Sequence, residues 1–335
     1  MSEIFIHKTR GELVESIHRG DAVVVKPDGK IFAQCGDPMK VTYLRSAAKP
    51  IQAMAVILSG AADRFGLSEQ ELAVICSSHY AEDFHLSAVR SILSKIGLNE
   101  TYLLCGKARP LTEEVAFRSA EQGIPPQKIL SDCSGKHSGM LSVCQHKGYP
   151  LDSYLSPQHP LQQDILQIMA DICDYPQDKI AIGVDGCSVP VFGMPVYNMA
   201  LGFVRFANPE FLPAKYKAAA ERIFSAMNKH PEMVSGTGGF CTELMKATQG
   251  RLIGKIGAQG VYCIGIRAPK LGIALKIEDG MLGMASMAAM QVLKELDLLS
   301  ENEYTKLAKY HIKPNLNDDN ITVGKIFPLF KLSLS

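Results

Sequence analysis

The sequence predicts an α/β (α+β) fold, a sheet with helices packed on it, and three observations carry that prediction. Two β-branched runs near the N-terminus flank Pro27-Asp28-Gly29, a turn in which Pro27 presets φ and Gly29 tolerates φ > 0. The middle of the chain is rich in helical signals, and three apolar strand-like runs follow at residues 254–277 before a last helix. Strands, helices, strands and a closing helix in that order favour helices layered on a sheet.

Taken in order, residues 4–7 and 22–26 read as strands, and residues 31–33 complete the hairpin. A helix is expected from about residue 47 to 59, closed by Gly60. A short helix near residues 68–73, an apolar strand at 74–76 and a long helix near 82–96 come next. Three Gly-rich stretches interrupt the pattern: Cys-Ser-Gly-Lys-His-Ser-Gly at 133–139, Val-Asp-Gly-Cys-Ser-Val-Pro at 184–190 and Ser-Gly-Thr-Gly-Gly at 235–239. Glycine permits turns that gather side chains around a site, so these read as site-forming loops. Strands at 254–257, 261–266 and 271–277 precede a Met- and Ala-rich helix from Gly280 to about Leu298, which reads as core packing. With no repeat, low-complexity tract or linker, residues 1–335 are expected to form a single catalytic domain.

A chain of 335 residues, 47% hydrophobic and 21% charged, has the composition of a globular protein. Its net charge of +1 supplies no global attraction for nucleic acid or an anionic membrane, so neither is expected as a partner. The first ten residues lack the apolar core of a signal peptide, and the apolar stretch at 281–293 is too short to span a bilayer. Nine cysteines without an export signal point to free thiols and a cytoplasmic location. Cys76, Cys105, Cys144, Cys173 and Cys263 lie in apolar contexts and read as core residues.

Residues 44–50, Leu-Arg-Ser-Ala-Ala-Lys-Pro, carry the first chemical signal. Ser46 and Lys49 lie three apart, so on a helical turn they share a face, and a lysine kept neutral can take the serine's proton. Arg45 supplies a neighbouring positive charge that favours the neutral amine. The spacing alone also fits a solvated helix face. On chemistry alone Cys133 and Cys187 read as loop or core thiols, because their spacing matches no standard zinc finger or ribbon. His137 reads as a hydrogen-bonded structural imidazole. Ser77 and Ser78 read as caps of the helix near Glu82, or as hydroxyls facing a cleft. Lys255 is either a solvated strand-edge lysine or a cleft cation. The Gly-rich run at 235–239 lacks a following Gly-Lys-Ser/Thr, which weakens a phosphate reading.

Jointly, these segments form an ordered set: Leu-Arg-Ser-Ala-Ala-Lys-Pro, Cys-Ser-Ser-His, Asp-Cys-Ser-Gly-Lys-His-Ser-Gly-Met-Leu, Asp-Gly-Cys-Ser-Val-Pro, Ser-Gly-Thr-Gly-Gly and Gly-Lys-Ile-Gly-Ala-Gln-Gly. From Arg45 to the segment at 323–326 the chain resembles the Rhizobium-type L-asparaginases, also called the asparaginase II or class 3 family. The resemblance implies an antiparallel sheet flanked by helices, similar to the serine β-lactamase and glutaminase fold, and a homodimer. It implies two catalytic pairs, Ser46 with Lys49 and Ser78 with Lys255. It further implies a Zn2+ site on Cys133, Lys136 and Cys187, substrate-binding roles for Arg45, His137 and Asp185, and L-asparagine as substrate. Other readings are a glutaminase or another amidohydrolase, a penicillin-recognising protein that is acylated without turnover, and a zinc-binding protein without catalysis. The chain departs from the family pattern at Tyr80-Ala81-Glu82, at the Cys105-Gly-Lys107 stretch and at Asp132, and Tyr80 would narrow the pocket.

Overall fold

The computed structural model describes residues 2–335, which fold as two compact units. The first comprises the chain up to Ala47, Met194–Asn208 and Glu243–Ser335. Its strands are β1 (Glu3–Arg10), β2 (Leu13–Val25), β3 (Ile31–Cys35), β4 (Val41–Tyr43), β7 (Leu252–Gly257), β8 (Val261–Ile266), β9 (Leu271–Ile277), β10 (Lys313–Leu316), β11 (Thr322–Pro328) and β12 (Ser333–Leu334). Its helices are α8 (Val196–Ala207), α11 (Leu282–Glu295) and α12 (Glu301–Leu307).

Nine of these strands form one antiparallel sheet in the order β10-β11-β1-β2-β9-β8-β7, with β3 on β2 and β12 on β3. The expected hairpin is present: Gly29 takes φ +86°, its N–H donates to the Lys26 carbonyl at 3.0 Å, and Val24 pairs with Ala33. β2 is long enough to serve three neighbours. Its first half pairs with β1, and its second half lies between β9 and β3. β8 and β9 are buried along their whole length because α8 and α11 both pack on them. Strands covered on both faces read as continuous apolar runs rather than alternating ones, as residues 261–266 and 271–277 do.

The second unit, Ala48–Gly193 and Pro209–Thr242, is mainly helical. It holds α1 (Lys49–Leu58), α2 (Ala61–Arg64), α3 (Glu69–Ile75), α4 (Asp83–Lys95), α5 (Glu113–Glu121), α6 (Ser134–Lys147), α7 (Pro160–Cys173), α9 (Ala214–Lys229) and the strand β5 (Ala181–Val184). Strand β6 (Pro190–Pro195) and helix α10 (Phe240–Ala247) run across the unit borders. α1 packs on α3, α6, α7 and α9, and α3 packs on α4, α6 and α9. No helix among the described residues is long and apolar enough to cross a membrane.

Two expectations are corrected here. Residues 74–76 form no strand; Val74 and Ile75 end helix α3, and Cys76 caps it. A three-residue apolar run has no period of its own, and here it is the buried last turn of an amphipathic helix. Residues 133–139 form no loop either, since α6 starts at Ser134. Its glycines serve packing: a Cβ on Gly135 would collide with the Val74 carbonyl, and one on Gly139 would come within 2.7 Å of Ile75. Four residues apart, they lie on one face of α6 and let it close onto the end of α3.

Candidate active site

Lys49 opens helix α1, with Pro50 fixing the helical φ behind it. The side chain is 1% exposed and reaches the segment just past the C-terminal end of α3. Its Nζ donates to the Ser77 carbonyl at 2.6 Å and to Ser78 Oγ at 3.1 Å, with the Asp132 carbonyl and Oδ2 each at 3.4 Å. Burial opposes the ammonium charge, but the Cys133 sulfur and the Asp132 carboxylate outweigh it and hold the amine above the ordinary lysine range. Asp132 is held below the usual carboxylate range: burial pushes it up, while Lys49, His79 and Lys136 pull it down further.

Residues 78–80 belong to the connection between α3 and α4. Their successive N–H groups donate to the Val234, Asp132 and Ser235 carbonyls at 2.9, 3.3 and 3.0 Å, which ties the connection to two neighbouring segments. Neither serine caps α4, whose N-cap is Glu82. Ser77 donates back to the Val74 carbonyl at 2.6 Å, and Ser78 takes the lysine. His79 points the other way, to Ser134 Oγ at 2.8 Å. Ser134 spends its proton on the Ile129 carbonyl at 2.9 Å and the Ala81 N–H occupies His79 Nδ1, so the His79 proton sits on Nε2. Burial pushes His79 down to about 3, which marks it as a neutral structural residue.

The β5–β6 turn and the start of α6 bring the three expected metal ligands together. Cys133 directly precedes α6, Lys136 lies in its first turn, and Cys187 sits in a turn closed by Ser188 N–H on the Asp185 carbonyl at 2.9 Å. Lys136 Nζ lies 2.9 Å from Cys187 Sγ and 4.0 Å from Asp185 Oδ2. A hydrogen bond from the Cys133 thiol and the Lys136 charge hold Cys187 as a thiolate, far below the ordinary thiol range despite burial. The same hydrogen bond, with burial, pushes Cys133 well up. Burial opposes the Lys136 charge, but the two sulfurs and Asp185 raise it above the ordinary range. His137 is fully buried; Nδ1 meets Tyr154 Oη at 2.7 Å, and Nε2 has no hydrogen-bond partner of ordinary geometry. Burial lowers its pKa, with the Cys187 thiolate as the main opposing interaction.

The family sequence profile of L-asparaginase II matches residues 6–328, nearly the whole chain. The chain belongs to the L-asparaginase II family. No curated protein matches it at a significant level. Among solved structures, a β-lactamase from Mycobacterium bovis is similar over 87% of this chain and 94% of its own, at 14% identity and a TM-score of 0.41. A Bacillus glutaminase, in the presence of 4.3 M NaCl, is similar over 83% of this chain and 91% of its own, at 14% identity and a TM-score of 0.38.

In this asparaginase II chain the second unit gathers Lys49, Ser78, Cys133, Lys136, His137, Asp185 and Cys187. Arg45, Ser46 and Lys255 lie in the first unit. There Arg45 adopts φ +52°, a left-handed conformation that a non-glycine residue takes up at a cost and that is enriched at functional sites. A Cβ on Gly257 would collide with the Leu44 carbonyl, so the segment carrying Ser46 runs against the end of β7. Lys255, on the same strand, is fully buried, and its Nζ donates to the Ile256 carbonyl at 2.8 Å. The strand-edge lysine of the sequence reading is therefore not solvated.

Two sulfurs and an amine converging in one buried place suit zinc, whose preferred donors are sulfur and nitrogen. No group of three His, Cys, Asp or Glu side chains arranged for a metal exists among the described residues, so a lysine would have to complete the set. Asp132 and Tyr154 were not singled out as site residues from sequence. Asp132 had a signal, its place beside Cys133; Tyr154 had none.

Proposed function

We propose that this family member hydrolyses the side-chain amide of L-asparagine to L-aspartate and ammonia through a serine ester. The observation that supports it most is the 3.1 Å contact between the buried Lys49 Nζ and Ser78 Oγ, with the half-buried Asp132 carboxylate 3.4 Å from the same amine. Lys49 is held as an ammonium, so it must first lose a proton; the neutral amine then takes the serine's proton as the serine oxygen bonds to the amide carbon. Collapse of the tetrahedral adduct returns that proton to the leaving nitrogen and releases ammonia. Water then cleaves the ester, freeing aspartate and restoring the hydroxyl. Ser46 with Lys49 is the proposed acylating pair and Ser78 with Lys255 the second, while Arg45, His137 and Asp185 bind the substrate. The Lys49–Ser78 contact favours a second reading in which Ser78 carries the ester.

Cys133, Lys136 and Cys187 would hold zinc, which when bound keeps the sulfurs as thiolates and cancels their charge beside the pocket. The working unit is proposed to be a cytoplasmic homodimer; all nine cysteines are free, as a reducing compartment allows.

The test is ammonia release from L-asparagine by the purified protein and its Ser46→Ala, Ser78→Ala and Cys133→Ala variants, with zinc measured alongside. Removing the acylated serine should cost at least about 10³-fold in kcat. Near wild-type turnover by both serine variants would rule out serine chemistry.

A further inference from the structure

A groove on the helical unit, apart from the catalytic cluster, gathers polar groups that the proposed reaction does not use. It has a volume of about 460 Å³ and is lined by α1, α6, α7 and α9. Leu58, which ends α1, lines it; Lys49 begins the same helix, about 13 Å away along the axis. Leu58 is 37% exposed and shares the groove with the buried side chains of Val143 and Ile168, so the groove offers apolar surface.

Three polar side chains line the same groove. α6 ends at Lys147, and Gly148 at φ +67° turns the chain so that Tyr149 follows. The Tyr149 ring packs edge-on against His159 at 5.9 Å, and His159 is itself fixed by the Leu161 N–H at 3.2 Å and the Pro150 carbonyl at 3.0 Å. Asp164 comes from the second turn of α7. Among the described residues, none of Lys147, Tyr149 and Asp164 has a side-chain hydrogen bond or a direct ion pair. Burial raises the Asp164 carboxyl above its ordinary value, and the Lys147 charge opposes it. Burial, then the Asp164 charge, raises the Tyr149 hydroxyl, which stays a donor at neutral pH. The other polar residues of the groove are occupied. Ser59 donates to the Val56 carbonyl at 3.2 Å, while Gln167, Lys215 and Tyr216 all bond to Asp171, at 2.7, 3.1 and 2.6 Å. The groove therefore keeps one cation, one anion and one hydroxyl donor free.

A lone cation is repelled by Lys147 and a lone anion by Asp164, whereas a zwitterion satisfies both. The volume lies within the roughly 300–1,000 Å³ of small-molecule sites, which pair apolar surface with a few convergent polar groups. We propose that this groove binds a free α-amino acid with an apolar side chain, its ammonium on Asp164, its carboxylate on Lys147 and the Tyr149 hydroxyl, and its side chain along Leu58. The assignment does not rest on the amidase reading.

The experiment titrates L-leucine into the full chain by calorimetry, with glycine, N-acetyl-L-leucine and L-leucinamide as analogues. The variants are Asp164→Asn, Lys147→Met and Lys49→Met, each checked for folding by thermal unfolding. L-Leucine should bind wild type and Lys49→Met alike. Asp164→Asn and Lys147→Met should each raise its Kd by at least about tenfold, the loss of one charge-assisted contact. The two analogues that lack one charge should bind wild type at least about tenfold more weakly for the same reason. Glycine should be weaker by about as much, because it buries no side chain. No saturable binding of L-leucine below about 10 mM would overturn the proposal. So would equal affinity for L-leucine and any one analogue. Binding lost in Lys49→Met but kept in Asp164→Asn would put the amino acid in the catalytic cluster and overturn it as well.

Discussion

Lys49 is a cation with almost no water, and its worth depends on what surrounds it. An ammonium this deep is tolerated because four oxygen acceptors lie within 3.4 Å, one of them a carboxylate. Replacing it by methionine keeps the volume and removes the charge, leaving Asp132 without its nearest cation. Lys49→Met should lower kcat for amide hydrolysis by about 10²–10⁴-fold, the usual contribution of a positioned proton-transfer group. It should also cost about 1–2 kcal/mol of stability, less than breaking a fully buried pair because the half-buried Asp132 keeps some contact with water. Adding Asp132→Asn should recover most of the stability and none of the activity. Urea denaturation and steady-state kinetics on the single and double variants check both halves; a Lys49→Met protein as stable as wild type would refute the ion-pair account. Lys49 stood out in the sequence because Ser46 lies three residues before it, but the expected neutral amine is instead held as a cation. Its contacts with Ser78 and Asp132 were not legible there, since 29 and 83 residues separate them and only the packing of α1 against α3 and α6 joins them.

Elements declare themselves in a sequence when their signals are local. The Pro27-Asp28-Gly29 turn and the strands β7, β8 and β9 are of this kind, and they form where the pattern places them. Helix α6 is the opposite case. Two glycines four apart look like turn residues, and their purpose is visible only against a backbone carbonyl some sixty residues away. Gly135 meets the fixed Val74 carbonyl, whereas Gly139 meets the tip of the Ile75 side chain, which can move. Gly135→Ala should therefore destabilise by about 3 kcal/mol, the upper part of the overpacking range, and Gly139→Ala by about 1 kcal/mol. Gly135→Ala should also disturb Lys136, the next residue, which reaches Cys187. Thermal unfolding of the two variants measures the difference, and equal losses would show that the α3–α6 approach is not limited by the Val74 carbonyl.

At the scale of the molecule, buried neutral histidines tie structure to pH in both units. In the helical unit, His85 Nδ1 accepts the Glu82 N–H at 3.2 Å while Nε2 donates to the Glu232 carbonyl at 3.0 Å. In the sheet unit, His311 lies between Tyr304 Oη at 2.8 Å and Gln291 Oε1 at 2.9 Å. Burial is the largest cause in each case and pushes both down to about 4; the Glu232 carbonyl and Glu82 partly oppose it at His85, and Lys294 adds to it at His311. In an unfolded chain the same imidazoles titrate near about 6.5. Above that value both states hold the neutral ring and nothing is lost. Between about 6.5 and 4 the unfolded chain binds protons that the folded one refuses, so stability falls with falling pH. Below about 4 the folded rings charge too, and in His85 the added Nδ1 proton displaces the Glu82 N–H. Urea midpoints measured from pH 8 to pH 4 should stay level to about pH 6.5 and then decline. Replacing His85 by glutamine, which has no charge to gain, should flatten part of the decline while lowering stability at neutral pH. A slope identical to wild type in that variant would remove His85 from the account and shift the acid sensitivity onto the remaining buried imidazoles.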